Sequence, residues 1–285
     1  MKMTGKIRRF LSNALKEDTG KRDITTETLF EQNFIITAKL IAKQDCIIAG
    51  MPLFQEVFTI LDKKIKFSKI LKDGAEAKTG SIVCILKGPL KSILTGERVA
   101  LNIISHLSGI ATITNKFVKE ANGKFKILDT RKTTPGLRVI EKYAVRVGGG
   151  YNHRLNLSEM ILIKDNHINL WSHHKKITRS QAIEQLTMKA KKIKNIAVEV
   201  EVESSDEAII AKNAGADIIM FDNTSIHEIR KFLKLCHENR PLIEISGGID
   251  LKDIRRLKNL DIDFVSAGKI THSAPAIDFS IEIMS

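Results

Sequence analysis

The sequence predicts an α/β protein in two parts, a small mixed domain followed by parallel strands joined by crossover helices. Three observations carry that prediction. Short strands and turns are mixed before residue 93, short apolar segments alternate with helical ones after residue 124, and polar residues gather at the C-terminal end of each later segment. The composition agrees: 285 residues, 43% hydrophobic and 28% charged, without a Pro-rich or Ser-rich tract, belong to a folded chain rather than a disordered one.

In the first part, residues 35–41 and 47–49 are apolar and β-branched, while Lys72-Asp73-Gly74 and Lys78-Thr79-Gly80 mark turns farther along the chain. From residue 93 to 118 apolar side chains recur at Leu94, Val99, Ile103, Leu107, Ile110, Ile113 and Phe117, close to helical spacing, until Asn122-Gly123 stops the pattern. A long helix linking the two parts is expected. Six strands come after it, at residues 125–128, 160–163, 197–202, 217–221, 242–245 and 263–265. One repeat shows how they are joined. Ser204 and Glu207 have capping-box spacing, residues 208–214 continue the helix, and Gly215 ends it before the next strand.

The net charge of +13 favours anionic partners, whether nucleic acid, a membrane surface, or phosphorylated and carboxylated metabolites. Lys63-Lys64 and Lys189-Ala190-Lys191-Lys192 read as solvated faces, and an aromatic content of 5% without a nucleic-acid motif argues against nucleic acid. Residues 1–11 are basic but run into Ser12, Asn13, Lys16, Glu17 and Asp18, so no secretory signal is expected. No apolar run is long enough for a bilayer, and Cys46, Cys84 and Cys236 lack metal-ligand or redox spacing. A reduced, cytoplasmic protein without membrane or nucleic-acid partners is expected.

The strand ends read Asp129-Thr130-Arg131-Lys132, Lys164-Asp165-Asn166-His167, Glu199-Val200-Glu201, Asp222-Asn223, Ser246-Gly247-Gly248 and Ser266-Ala267-Gly268-Lys269. Barrel enzymes carry their chemistry at these ends and commonly build a phosphate site after the last two strands. A single Gly-Gly pair is readily a tight turn, but two small-residue turns on successive strands favour phosphate. Along residues 197–202 the period of two puts Val198, Val200 and Val202 on one face and Glu199 and Glu201 on the interior one. Glu199 and Glu201 could each pair with Lys132 or Lys164, and for Glu199, deeper in the strand, that structural reading is preferred. Glu201, nearer the mouth, and Asp222 on the next strand are suited to Mg²⁺, ribose hydroxyls or both. Arg131, Lys132, His153, Arg154 and Lys164 supply the opposite charge and imply a multiply anionic substrate. Gly148-Gly149-Gly150, ahead of Tyr151-Asn152-His153-Arg154, is either a loop lying close to a ligand or a flexible connection. No chemistry is assigned to the cysteines or to His106, His173, His174, His227 and His237.

Together the motifs DTRKTTPGLR (129–138), GGGYNHRLNLSEMILIKDNH (148–167), VEVEVES (198–204), FDN (221–223) and SGG (246–248) closely resemble those of the quinolinate phosphoribosyltransferase family. The resemblance is densest over 129–272 and reaches upstream through Glu97-Arg98 and Leu107-Ser108-Gly109. It implies an N-terminal α/β sandwich domain over 1–107, rejoined by 275–285, and an incomplete seven-stranded α/β barrel over 108–274. The implied reaction is phosphoribosyl transfer from phosphoribosyl pyrophosphate to quinolinate with decarboxylation, giving nicotinate mononucleotide. It further implies that Arg131, Lys132, His153, Arg154 and Lys164 bind quinolinate, with Arg98 supplied by a neighbouring subunit of a homodimer or higher oligomer. Glu201 and Asp222 would serve ribose and Mg²⁺, and Ser246, Gly247, Gly248, Gly268 and His272 the 5′-phosphate; Lys132, Lys164, Glu201 and Asp222 are the catalytic candidates. A related phosphoribosyltransferase-like protein of molybdenum transport shares these phosphate elements, but Asn152-His153-Arg154 with Lys164-Asp165-Asn166-His167 favours the quinolinate enzyme. The Trp171–Lys176 stretch has no assigned role.

Overall fold

The computed structural model describes residues 1–236 and 239–284, so His237 lies outside the described residues. Contacts divide the chain into two compact units. One joins Met1–Asn115, Ile140–Gly149 and the segment from Ala274 onward; the other joins Lys116–Val139 and Gly150–Ser273. Where the sequence places the boundary at residue 107, the contacts place it after Asn115, and they give Ile140–Gly149 to the first unit.

In chain order the elements begin α1 (Gly5–Thr19), α2 (Ile24–Leu29), β1 (Ile35–Ala42), β2 (Cys46–Ile47), α3 (Met51–Leu61), β3 (Lys66–Ser68), β4 (Glu76–Ala77), β5 (Ile82–Pro89) and α4 (Leu90–Ala121). Next come β6 (Lys126–Leu128), α5 (Arg138–Val147), β7 (Ile161–Ile163), α6 (Asp165–Lys175), α7 (Arg179–Ala190), β8 (Val198–Val202) and α8 (Ser205–Asn213). The chain continues with β9 (Ile218–Asp222), α9 (Ile226–Leu235), β10 (Leu242–Ser246), α10 (Leu251–Leu257), β11 (Phe264–Ser266), α11 (Lys269–His272) and β12 (Phe279–Met284).

In the first unit an antiparallel sheet runs β12-β1-β5-β3 beside a short β2-β4 pair. β1 buries Ile36, Ala38 and Leu40 and leaves Thr37 and Lys39 between them partly exposed, as a half-buried strand should. The 32-residue α4 stops where Asn122 and Gly123 both adopt positive φ, at 49° and 74°. Leu107, Ser108 and Gly109 on α4 each answer a different packing demand. Leu107 Cδ1 lies 2.8 Å from where a Cβ on Gly50 would stand. The Ser108 hydroxyl is fully buried; it accepts from the Ala49 N–H at 3.0 Å and donates to the Ala49 carbonyl at 3.3 Å. Gly109 faces the Pro275 carbonyl, which fills the space a side chain would need.

The second unit holds a six-stranded parallel sheet in the order β6-β11-β10-β9-β8-β7, built from the six strands read in the sequence. Among the described residues, a single parallel bridge between Tyr151 and Leu128, directly after the glycine run, stands in place of a seventh strand. The pairing goes no further because the next backbone donors are used elsewhere: the His153 N–H turns to the Asp129 carboxylate at 2.9 Å. The capping reading at α8 holds in one half. Ser204 accepts from the Glu207 N–H at 3.3 Å, but Glu207 returns to the Glu203 N–H at 2.9 Å rather than to that of Ser204. Among the described residues no helix is long and apolar enough to cross a membrane.

A methyl group at position 109 has nowhere to go without moving backbone. Gly109→Ala is expected to destabilise the protein by roughly 1–3 kcal/mol, measured by urea unfolding. An unchanged midpoint would show that Pro275 yields freely.

Candidate active site

The five residues of β8 are all buried, so its valines and its glutamates face two enclosed environments. The glutamate face is the interior one. Glu199 is fully buried, and its Oε2 lies 3.0 Å from His153 Nε2. Glu244, on β10, approaches the same nitrogen at 3.7 Å. β8 and β10 are separated by β9, a span of about 10 Å in a flat sheet, so both carboxylates reach one imidazole because the sheet curls around it. Burial penalises both charges and raises both pKa values, that of Glu244 from 4.5 to about 8. Ser266 Oγ, at the end of β11, donates to Glu244 Oε1 at 2.5 Å.

Above these groups opens a cavity of about 450 Å³. Arg131, Lys132, Arg138, Arg154 and Lys164 line it, with Asp222, Ser246 and Gly268 at the strand ends opposite. The charged form of Arg154 is disfavoured, first by burial and then by the neighbouring Arg131, with Glu199 a partial offset. Its Nη1 donates to the Met160 carbonyl at 3.0 Å. Lys164 Nζ donates to Glu201 Oε2 at 3.0 Å, and Glu201 is 7% exposed. This excess of positive charge in a partly desolvated pocket suits a ligand carrying more than one negative charge.

The structure therefore brings Arg131, Lys132, His153, Arg154, Lys164, Asp222, Ser246 and Gly268 to one cavity, and Glu201 joins through Lys164. The His272 ring lies 3.2 Å from the position of a Gly268 Cβ, and its Nδ1 is 2.6 Å from Ser273 Oγ. Gly247 has a φ of 102° and sits on Asn223, whose side-chain and backbone atoms fill the place of a Cβ; it lines an adjacent cavity of about 360 Å³. Gly248 is exposed at a φ of 59°. Arg98 is an exposed residue of α4 in the first unit.

One expected ion pair is corrected. Glu199 has His153 rather than Lys132 or Lys164 as its hydrogen-bonded partner, because Lys164 is taken up by Glu201 one step nearer the mouth. Glu244 and Arg138 are site residues that the sequence reading does not assign, and Ser266, read as part of a small-residue turn, proves to be the partner of Glu244. The first was available from the alternation of Leu242-Ile243-Glu244-Ile245-Ser246, which is that of β8. Arg138 reaches back from α5 to Thr133 Oγ1 at 3.0 Å and to the Leu155 carbonyl at 3.2 Å, tying two pocket loops together.

A parallel α/β sheet with small-residue turns at its last strands and a cationic pocket at the strand ends defines an enzyme for phosphorylated and carboxylated metabolites. The models of the quinolinate phosphoribosyl transferase N-terminal and C-terminal domains match residues 23–108 and 110–282. The chain belongs to the quinolinate phosphoribosyltransferase family. It is 40% identical over 278 residues to a probable nicotinate-nucleotide pyrophosphorylase (carboxylating) of Bacillus subtilis, covering 97% of this chain and 93% of that protein. The crystal structure of NadC from Streptococcus pyogenes superposes with a TM-score of 0.90 at 42% identity, covering all of both chains. The nicotinate-nucleotide pyrophosphorylase of Francisella tularensis gives 0.88 at 38% identity, covering 99% and 98%.

An acid whose pKa is raised by folding keeps its proton longer in the folded than in the unfolded chain, so stability falls as pH rises from about 4.5 to about 8. Glu244→Gln removes that titration. Urea unfolding at intervals across this window is expected to show a shallower loss in the variant than in the wild type, and identical slopes would place the ionisation elsewhere.

Proposed function

We infer that the chain transfers the phosphoribosyl group of phosphoribosyl pyrophosphate to the nitrogen of quinolinate and releases pyrophosphate and carbon dioxide, leaving nicotinate mononucleotide. The observation that carries this reading is the cation cluster facing the Ser246 and Gly268 strand ends across one cavity. Arg131 and Arg154 suit the two quinolinate carboxylates, because guanidinium groups recognise carboxylates bidentately; His153 and Lys132 complete that wall. Ser246, Gly247, Gly248, Gly268 and His272 receive the 5′-phosphate. Arg98 reaches this site from a second subunit, which makes a homodimer the smallest active unit. The setting is cytoplasmic, where the free and buried Cys46, Cys84 and Cys236 stay reduced.

Glu201 and Asp222 offer hard carboxylate oxygens from adjacent strands, a donor set that fits Mg²⁺, which takes one or two carboxylates and fills its shell with water and phosphate oxygens. When bound there, Mg²⁺ supplies charge neutralisation to the departing pyrophosphate. Lys132 and Lys164 add to that stabilisation while Glu201 and Asp222 hold the ribose hydroxyls. The pyridine nitrogen attacks the anomeric carbon as the pyrophosphate bond breaks. The quaternised ring then accepts the electron pair left by the carboxylate next to nitrogen, so carbon dioxide departs without a further cofactor, and a proton replaces it.

Purified protein given quinolinate, phosphoribosyl pyrophosphate and Mg²⁺ is expected to release carbon dioxide and form nicotinate mononucleotide. Nicotinic acid should be a far poorer substrate, and chelation should stop turnover. Equal use of nicotinic acid without carbon dioxide release from quinolinate overturns the assignment.

The trans role of Arg98 is tested by mixing inactive Arg98→Ala and Lys164→Ala proteins under subunit exchange. Half of randomly paired dimers are mixed and each has one intact site, so about a quarter of wild-type activity should return. No return despite proven exchange puts Arg98 in its own subunit's site.

A further inference from the structure

The hydrogen bonds beneath the cavity run in one direction. The Arg154 N–H donates to His153 Nδ1 at 2.8 Å, so that nitrogen is an unprotonated acceptor. The ring proton therefore sits on Nε2, which donates to Glu199 Oε2 at 3.0 Å. Among the described residues Glu199 Oε1 is buried without a hydrogen-bond partner. A protonated Glu244 carboxyl, with an oxygen within 4.8 Å of those of Glu199 and His153, would supply that donor, and its Oε1 in turn accepts from Ser266 at 2.5 Å. The observed links each pair one donor with one acceptor, Ser266 with Glu244 and Arg154 through His153 with Glu199, and a proton on Glu244 joins the two.

We propose that Glu199, Glu244 and Ser266 are positioning residues: they form a buried hydrogen-bonded floor that holds His153 as a neutral imidazole and fixes the backbone presenting Arg154 to the substrate. His153 is then not one of the cations of the site. Its ring directs its donor downward to Glu199 and its acceptor to the next residue's N–H, so its contribution is to set where the chain turns. The second anchor of this turn is the fully buried Asp129, which accepts from the His153 N–H and from the Asn152 side chain. Two independent supports on consecutive residues leave the Arg154 backbone little freedom. The ligand atoms of His153, Glu199 and Glu244 lie within 4.8 Å of one another, a spacing that a metal ion also suits. The hydrogen-bond reading is the better one because His153 Nε2 and Ser266 Oγ already engage one oxygen of each carboxylate at bonding distance.

The kinetic part rests on the quinolinate reading, whereas the state of His153 can be read in the resting protein without any substrate. Protein labelled with ¹⁵N-histidine, with His153→Asn to identify the signal, is expected to show one protonated and one unprotonated ring nitrogen for His153 at neutral pH. Glu244→Ala should raise the KM for quinolinate by ~10-fold while kcat and the KM for phosphoribosyl pyrophosphate stay within ~2-fold. Glu244→Gln keeps a donor for Glu199 and an acceptor for Ser266, and should restore the KM to within ~3-fold of wild type. If Glu244→Ala does not fold, Ser266→Ala carries the same test, with an expected rise of ~3-fold confined to quinolinate. Two protonated nitrogens on His153, a stoichiometric metal that survives dialysis, or an equal rise in both KM values overturns the proposal. Failure to turn over quinolinate with the expected histidine signal intact would strike the assigned reaction and leave the floor standing.

Discussion

Two glutamates pointing into the interior of a parallel sheet, Glu199 and Glu244, constrain everything built above them. An isolated carboxylate in such a place costs several kcal/mol, so each must find a proton, a cation or a donor. The fold answers with His153 for one and Ser266 for the other, drawn from segments far apart in sequence. An apolar pair of similar volume would be more stable, but it would leave the loop of His153 and Arg154 without a directional attachment to the strands. The polar interior gives up stability for a fixed geometry at the cavity floor.

The same logic acts at the mouth with the opposite sign. Burial and, after it, the neighbouring Arg131 disfavour the charge of Arg154. Lys164 is paired with Glu201, whereas among the described residues Arg154 has only the partial offset of Glu199. A dianionic ligand thus gains from charge already held in place, instead of having to assemble it from solvated side chains. Asn223 performs a smaller service at the ends of β9 and β10, where its amide holds Asp222 Oδ2 at 2.8 Å while its own atoms exclude any side chain from Gly247.

Much of this was legible in the sequence, and the limits have physical causes. The six parallel strands could be read because each is a short apolar run with a polar end, and the mouth followed from those ends. The Tyr151 bridge could not, since one paired residue has no periodicity to detect. Alternation reveals which face Glu199 occupies but not its neighbour across a curled sheet, and so lysines near in sequence logic stood in for His153. Arg138 lay within a recognised motif, yet its task depends on a long side chain folding back on loops at 131–133 and 155. The Leu107-Ser108-Gly109 step acquires its meaning from Gly50, Ala49 and Pro275, which no local pattern connects to it.

The pairing of β12 with β1 places Thr37 opposite Met284, nearly the whole described chain apart. On a ribosome, the first sheet would emerge with β1 already able to join β5 but with its other edge open while the entire second unit is being synthesised. Unpaired edges of this kind recruit foreign strands. The open edge of β1 is accordingly exposed from the time it pairs with β5 until β12 is made, an interval in which the nascent polypeptide is vulnerable to aggregation.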